Sequence, residues 1–396
     1  MKLKTFLCLL TVILFGCQYG NQKTLKPGDL HVIDISKNHP KKEVILQNVA
    51  DIEYIPLETT DAVLLSGACQ LAYLSDKYVV VWEPMQSDVF IFDRNGKIVT
   101  HFNRRGQGNQ EYLLMRNVIF DKKNEEIFVF DNPQIRRILV YTLTGEYKRT
   151  LKYSEDYSQI NAYNFDDDVF LVYDESDWYQ STYNKKPYMF MSKKDGSIIS
   201  ALDISLPVRY FNKTVMAVEV NGQTLTTSLS ISVNNNRYYG QHLLIADISS
   251  DTIYLLTKNK DLTPLIIRKP SVHSSEPRTV LTHQFATDKF VFLYKITLDL
   301  EAAKNNQSIA TTELMYEFAT GETSEVSFVN DDYPARTWWD PFIYPEISQN
   351  NMTATLLQTP NLKTAFEKKQ LKGELEKLTA TLDVDDNPVL MIVKFK

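Results

Sequence analysis

The densest run of groups able to do chemistry is Arg104-Arg105-Gly106-Gln107-Gly108-Asn109-Gln110-Glu111-Tyr112. Arg104 or Arg105 could bind anionic groups, while Gln107, Asn109, Glu111 and Tyr112 offer hydrogen bonds to a ligand. The Gly-x-Gly step is not a nucleotide fingerprint. It leaves one strand-like run and enters another, with no helix N-terminus to receive a pyrophosphate. Two readings stay open for this segment: a loop lining a ligand, or a connector whose glycines permit a bend while Glu111 caps local amides. A second kind of candidate is aromatic. Trp178-Tyr179 with Tyr183 and Tyr188, and Arg336-Thr337-Trp338-Trp339-Asp340-Pro341-Phe342, place large rings in polar surroundings. Such rings present flat faces to sugars or anchor a protein partner; they serve equally well to cover strand edges.

Other chemistries find less support. Asp166-Asp167-Asp168 and Asp383-Val384-Asp385-Asp386-Asn387 supply closely spaced oxygens of the kind Ca²⁺ prefers. Neither run has the glycine and distal glutamate of a calcium loop, so solvated turns are expected. His31, His39, His101, His242, His273 and His283 have no partner at metal-ligand spacing. There is no Gly-x-Ser-x-Gly elbow, and no pair of carboxylates stands out for glycoside cleavage. The sequence therefore assigns no catalytic residue, no metal site and no cofactor.

The N-terminus carries an address. Lys2 and Lys4 precede an apolar stretch from Phe6 to Phe15, too short to act as a membrane anchor. It ends in Leu14-Phe15-Gly16-Cys17, which resembles the lipobox of bacterial lipoproteins. That resemblance implies a signal peptide at 1–16, a lipid on Cys17, a flexible tether at 17–28 and one domain at 29–396. Cys8 would leave with the signal, so Cys69 stays without a disulfide partner, and its apolar neighbours from Leu64 to Leu74 predict burial. Loss of Lys2 and Lys4 leaves 41 basic against 49 acidic residues and a formal charge of −8. That balance argues against a nucleic-acid partner, which needs a basic face.

The elements that must position these residues are strands. Phe92-Asp93-Arg94-Asn95-Gly96-Lys97-Ile98-Val99 is an apolar run, a polar turn with glycine, and a second apolar run. Tyr141 to Tyr147 and Met191 to Ile199 repeat it, with looser echoes at Ile248 to Tyr254 and Phe318 to Glu322. The turn glycines at 96, 145 and 196 are 49 and 51 residues apart, one propeller blade each. Four-strand units are expected at 70–102, 118–152 and 160–204, a fourth at about 224–268, and a fifth at about 283–328 with an insertion at 301–308. A sixth, C-terminal unit contains one helix near 361–381, where Leu362, Phe366, Leu371, Leu375 and Leu378 recur at helical intervals. An N-terminal strand near Val49 to Leu57 would complete that unit. The expected fold class is all-β: a six-bladed β-propeller closed by this N-terminal strand in the last blade.

The chain resembles the six-bladed β-propeller lipoproteins of Bacteroidota, which are NHL-like in shape and mostly without an assigned activity. The resemblance rests on Tyr54-Ile55-Pro56-Leu57-Glu58-Thr59-Thr60, Ile91-Phe92-Asp93-Arg94-Asn95-Gly96-Lys97, the run from Arg105 to Tyr112, and Asp386-Asn387-Pro388-Val389-Leu390. The family pattern Gly-x-Gly-Pro-x-Glu-Tyr has Asn109 in place of its proline here. The resemblance implies anchorage at the outer membrane. In that phylum acidic residues after the lipidated cysteine accompany surface export; Gln18 to Lys23 has none, which favours the periplasmic side. The expected function is non-catalytic binding of a glycan, a peptide or an envelope protein. The competing expectations are a lyase or glycoside hydrolase at the channel mouth, and an accessory subunit of an outer-membrane nutrient-uptake assembly.

Overall fold

The computed structural model describes residues 29–157, 159–175, 184–210, 213–220, 223–230, 236–239, 242–274, 276–299, 302, 309–334, 337–338, 346–347 and 351–396. Cys17, the tether, Trp178 and Trp339 lie outside the described residues. So do Tyr179 and Tyr183.

The strands form six blades. Blade I comprises Gln70–Leu74, Tyr78–Glu83, Asp88–Asp93 and Ile98–Asn103. Blade II comprises Asn117–Asp121, Glu126–Phe130, Arg137–Thr142 and Tyr147–Lys152. Blade III comprises Ile160–Asn164, Val169–Asp174, Tyr188–Ser192 and Ile198–Ala201. Blade IV follows with Asn236–Tyr239, His242–Ile245, Thr252–Leu256 and Leu262–Lys269. Blade V has Arg278–Ala286, Phe290–Leu298, Ala310–Glu317 and Thr323–Val329. Blade VI joins Met352–Leu357 and Val389–Phe395 to the N-terminal strand Ala50–Pro56 in one antiparallel sheet.

Strand alternation explains why the sequence runs are continuously apolar. Val79 and Val81 point into the layer shared with blade VI, while Val80 points into the layer shared with blade II. All three are fully buried. The same division repeats around the ring, with Phe128 and Phe170 meeting between blades II and III, and Phe285 and Phe328 packing against blade VI. A side chain buried this way contributes about 1.5–3 kcal/mol, so the stability is spread over the layers between blades. Cys69 lies in the blade VI–I layer, where burial pushes its thiol up to about 12.

The turn glycines do two jobs. Gly96, Gly145 and Gly196 hold φ of 81°, 75° and 83°, the left-handed region that side chains resist. Each also presses on the previous blade: a Cβ on Gly96 would lie 2.2 Å from the Pro56 carbonyl oxygen, and one on Gly145 would lie 2.4 Å from the Phe102 ring. The repeat spacing thus marks where one blade seats on the next.

Several sequence expectations shift. The fourth blade begins at Asn236, and Lys213–Val220 and Gln223–Ser230 form a separate two-stranded hairpin. The Ile248–Tyr254 echo joins the second and third strands of blade IV, at the opposite end from the glycine turns. The equivalent turn is 257–261, where Lys260 takes φ 70° without glycine. The single helix near 361–381 is two helices. With α1 as the short turn Leu46–Val49, α2 is Thr359–Glu367 and α3 is Gly373–Ala380. Positive φ at Lys369 and Gly373 breaks them apart, and Gly373 seats against Asp332. His31–Asp34 and Lys41–Ile45 add parallel strands to the outer edges of blades IV and V.

Candidate functional site

In an antiparallel blade, the turn between the second and third strands and the connector leaving the fourth emerge at the same end. The segment 104–116 is such a connector, from blade I to blade II. It lies beside the 84–87 turn of blade I and the 131–136 turn of blade II.

Its fold is built by its own polar groups. The Tyr112 amide donates to the Arg104 carbonyl at 3.1 Å, and the Gly106 amide donates to the Tyr112 carbonyl at 3.0 Å. Tyr112 is fully buried; its hydroxyl receives the Arg104 amide at 2.8 Å and donates to the Ser87 carbonyl at 2.8 Å. Glu111 folds back so that its carboxylate accepts the Gly108 amide at 2.8 Å. A Cβ on Gly106 would collide with that carboxylate, so this glycine is there for close approach. Arg104 donates through Nε to the Gly145 carbonyl at 2.7 Å, linking the connector to blade II. Arg105, Gln107 and Asn109 are exposed. Of the six loop residues singled out in the sequence, Glu111 and Tyr112 therefore hold the connector together, and the other four reach solvent.

Asp131 is the pin beneath the connector. Its carboxylate accepts the Leu113 and Leu114 amides at 2.8 and 3.1 Å and the Arg137 Nε at 2.7 Å. The Asp131 side chain is fully buried and that of Arg137 is 13 % exposed. Arg137 also donates to the Glu111 carbonyl at 2.6 Å, and the Tyr141 hydroxyl to the Gln110 carbonyl at 2.8 Å.

These loops raise apolar side chains into solvent. Met85 is 76 % exposed, Ile135 41 %, Leu113 39 % and Leu114 36 %. All four come from the three loops tied together above, so they share one end of blades I and II. The same loops carry arginines: Arg105 and Arg116 are exposed, Arg104 is exposed but reaches across to the Gly145 carbonyl, and Arg136 and Arg137 are half-buried and engaged. The only carboxylates in these loops are Glu111 and Asp131, both already engaged. Ser87 holds φ 70° at full burial, a conformation costly for a non-glycine residue. Sequence reasoning missed this surface because it looked for polar chemistry; the signal was Leu113-Leu114 directly after the glycine-rich run.

The remaining candidates separate from this surface. Trp338 belongs to a two-residue strand, Thr337–Trp338, whose backbone pairs with Phe328 and Val329 of blade V. Tyr188 is fully buried and donates to Asp247 at 2.9 Å. Asp166 accepts the Asp168 and Val169 amides, and Asp167 pairs with Lys123 at 2.7 Å, which makes a turn of that acidic run.

One titratable group stands apart. Burial pushes the Glu313 carboxyl from an ordinary 4.5 up to about 7. Lys41, Lys42, Glu43, Tyr294 and Glu325 line the same cleft. A folded-state value above the unfolded one means the native protein holds the extra proton between these limits. This contribution to stability is full below about pH 4.5 and is lost as pH rises to about 7. Glu313→Gln is expected to flatten the pH dependence of the unfolding midpoint across that window; an unchanged slope would assign it to another group.

Fold and surface together define a six-bladed β-propeller with an apolar, arginine-rich end at blades I and II. The chain belongs to the family of the domain of unknown function DUF4934, which it matches over residues 30–394. Its fold is shared with the crystal structure of a putative exported protein from Bacteroides fragilis, at 13 % identity and a TM-score of 0.60, covering 93 % of this chain and 99 % of that one. A DUF4221 family member from Bacteroides vulgatus aligns at 11 % identity and a TM-score of 0.44, covering 88 % and 97 %. No curated protein is significantly similar to the chain. Among the described residues, no helix is long and apolar enough to cross a membrane.

Proposed function

We propose that this protein is a lipid-anchored envelope propeller that binds, without catalysis, an acidic and apolar segment of a partner protein. The observation that carries the reading is that Met85, Leu113, Leu114 and Ile135 are exposed on loops at one end of blades I and II that also carry the exposed Arg105 and Arg116. Exposed apolar side chains gathered on one surface and rimmed by polar groups are the usual mark of an interaction site. Arginine is favoured there because it loses hydration readily and forks onto carboxylates. Envelope placement is supported by the lipobox-like Leu14-Phe15-Gly16-Cys17 and by the exported character named for the Bacteroides fragilis protein of the same fold. The lipid on Cys17 would hold the propeller at the outer membrane, on the periplasmic side.

The test uses the soluble chain from Asn21 onward and an array of peptides covering the envelope proteins of the source bacterium. Peptides rich in Asp, Glu and apolar residues should bind, lose affinity with rising salt, and fail to bind a Leu113→Asp, Leu114→Asp double variant. Absence of peptide binding, or equal binding by that variant, would overturn the reading.

A further inference from the structure

A second site lies at the outer part of blade V. Its third and fourth strands pair only through Leu314, Met315 and Tyr316 against Glu325, Ser324 and Thr323. Beyond that register they separate. A cleft of about 910 Å³ opens there, lined by Thr311, Thr312 and Glu313 on one strand and by Glu325, Val326 and Ser327 on the other. Lys41, Lys42 and Glu43 of the added N-terminal strand form the outer wall, since Lys41 sits opposite Glu325 in the parallel ladder. Tyr294 sits opposite Glu313 and supplies an aromatic ring with a hydroxyl.

The chemistry of this lining is specific in what it rejects. Two lysines at the rim oppose a simple cation, and three carboxylates oppose a simple anion. Between them stand the hydroxyls of Thr311, Thr312, Ser327 and Tyr294. Among the described residues no donor satisfies the Glu313 carboxyl, and burial alone accounts for its raised titration. A half-buried carboxyl without a donor seeks hydroxyl hydrogens, which cost less to desolvate than a charge. The cleft is open and mostly polar, with Val326 the one aliphatic side chain among its described lining residues, a lining suited to a ligand rich in hydroxyls.

We propose that this blade V cleft binds a neutral saccharide of one or two rings, with Glu313 accepting ligand hydroxyls and the Thr311, Thr312 and Ser327 hydroxyls pairing with the rest. The site is independent of the arginine-rich surface, from which it differs in blade and in chemistry.

Saturation-transfer NMR on the soluble chain from Asn21 tests it with maltose, cellobiose, mannobiose, xylobiose, galacturonate and spermidine as probes. At least one neutral disaccharide should give transfer, and Glu313→Gln should weaken it tenfold or more. Thr312→Val provides a second lesion should Glu313→Gln perturb folding, and the exposed Ile199→Ser on blade III should leave binding unchanged. Binding of galacturonate or spermidine alone, no binding of any neutral disaccharide, or full binding by both cleft variants would overturn the proposal.

Discussion

Asn387→Ala is expected to lower the free energy of unfolding by about 3–5 kcal/mol, from three lost hydrogen bonds at about 1–3 kcal/mol for each buried group left unsatisfied. Asn387 is 2 % exposed. Its side-chain oxygen accepts the Leu65 amide at 2.7 Å, and its nitrogen donates to the Glu58 and Val63 carbonyls at 2.7 and 2.9 Å. It therefore ties the segment after Ala50–Pro56 to the turn before Val389–Phe395. On the other side, the Glu58 amide donates to the Gly96 carbonyl at 2.8 Å, and the Glu58 carboxylate takes the Ile98 amide at 2.9 Å. Blade VI and blade I meet through these few residues. Urea unfolding followed by tryptophan fluorescence measures the effect. A loss below about 1 kcal/mol would show that water can replace the asparagine and that the junction is held elsewhere.

Asp131→Ala is expected to cost a similar amount, about 3–5 kcal/mol, because breaking a buried ion pair strands the surviving charge. Here the stranded group is Arg137, and the Leu113 and Leu114 amides lose their acceptor as well. The distinctive consequence is local. Amides from Arg104 to Met115 should exchange with solvent faster in the variant, while those in the strands of blades IV and V stay protected. Asp131→Asn keeps the shape but turns one donor toward Arg137, so it should recover little. Uniform loss of protection across all blades would show that Asp131 supports the ring as a whole, with no special hold on the connector.

The architecture was legible because its determinants are local. A glycine that must hold positive φ and accept a neighbouring blade recurs at 96, 145 and 196, and its spacing counts blades. The regular strands of blades I to III follow from short apolar runs between turns. Blade IV was less legible since Lys260 takes the left-handed position without glycine, which erases the marker. The break between α2 and α3 was hidden because Leu371 and Leu375 keep a helical interval across it. The parallel strands at 31–34 and 41–45 were invisible as partners, because their pairing joins residues far apart in sequence.

The candidate surface was legible only in part. The run from Arg104 to Tyr112 drew attention through its polar groups, yet Tyr112 and Glu111 act inside the connector. The exposed apolar residues come from three separate loops, and nothing in the chain order brings Met85 to Leu113 or Ile135. The motifs shared with the resembled family tell a consistent story. Tyr54 to Thr60, Ile91 to Lys97 and Asp386 to Leu390 come together at the blade VI–I junction, so they serve the ring. The fourth shared motif, Arg105 to Tyr112, builds the connector itself, so the identity of a partner must reside in the exposed side chains on and beside it.

Photo-crosslinking in the living envelope tests the central claim most directly. A benzoylphenylalanine placed at Leu114 should yield one discrete adduct with an envelope protein, and the same group at Ile135 should yield the same adduct. Placed at Val99 or Ile199, which are exposed on the outer strands of blades I and III, it should yield none. Adducts of equal pattern from all four positions, or none from Leu114 and Ile135, would contradict the assignment of this end of the propeller as the binding surface.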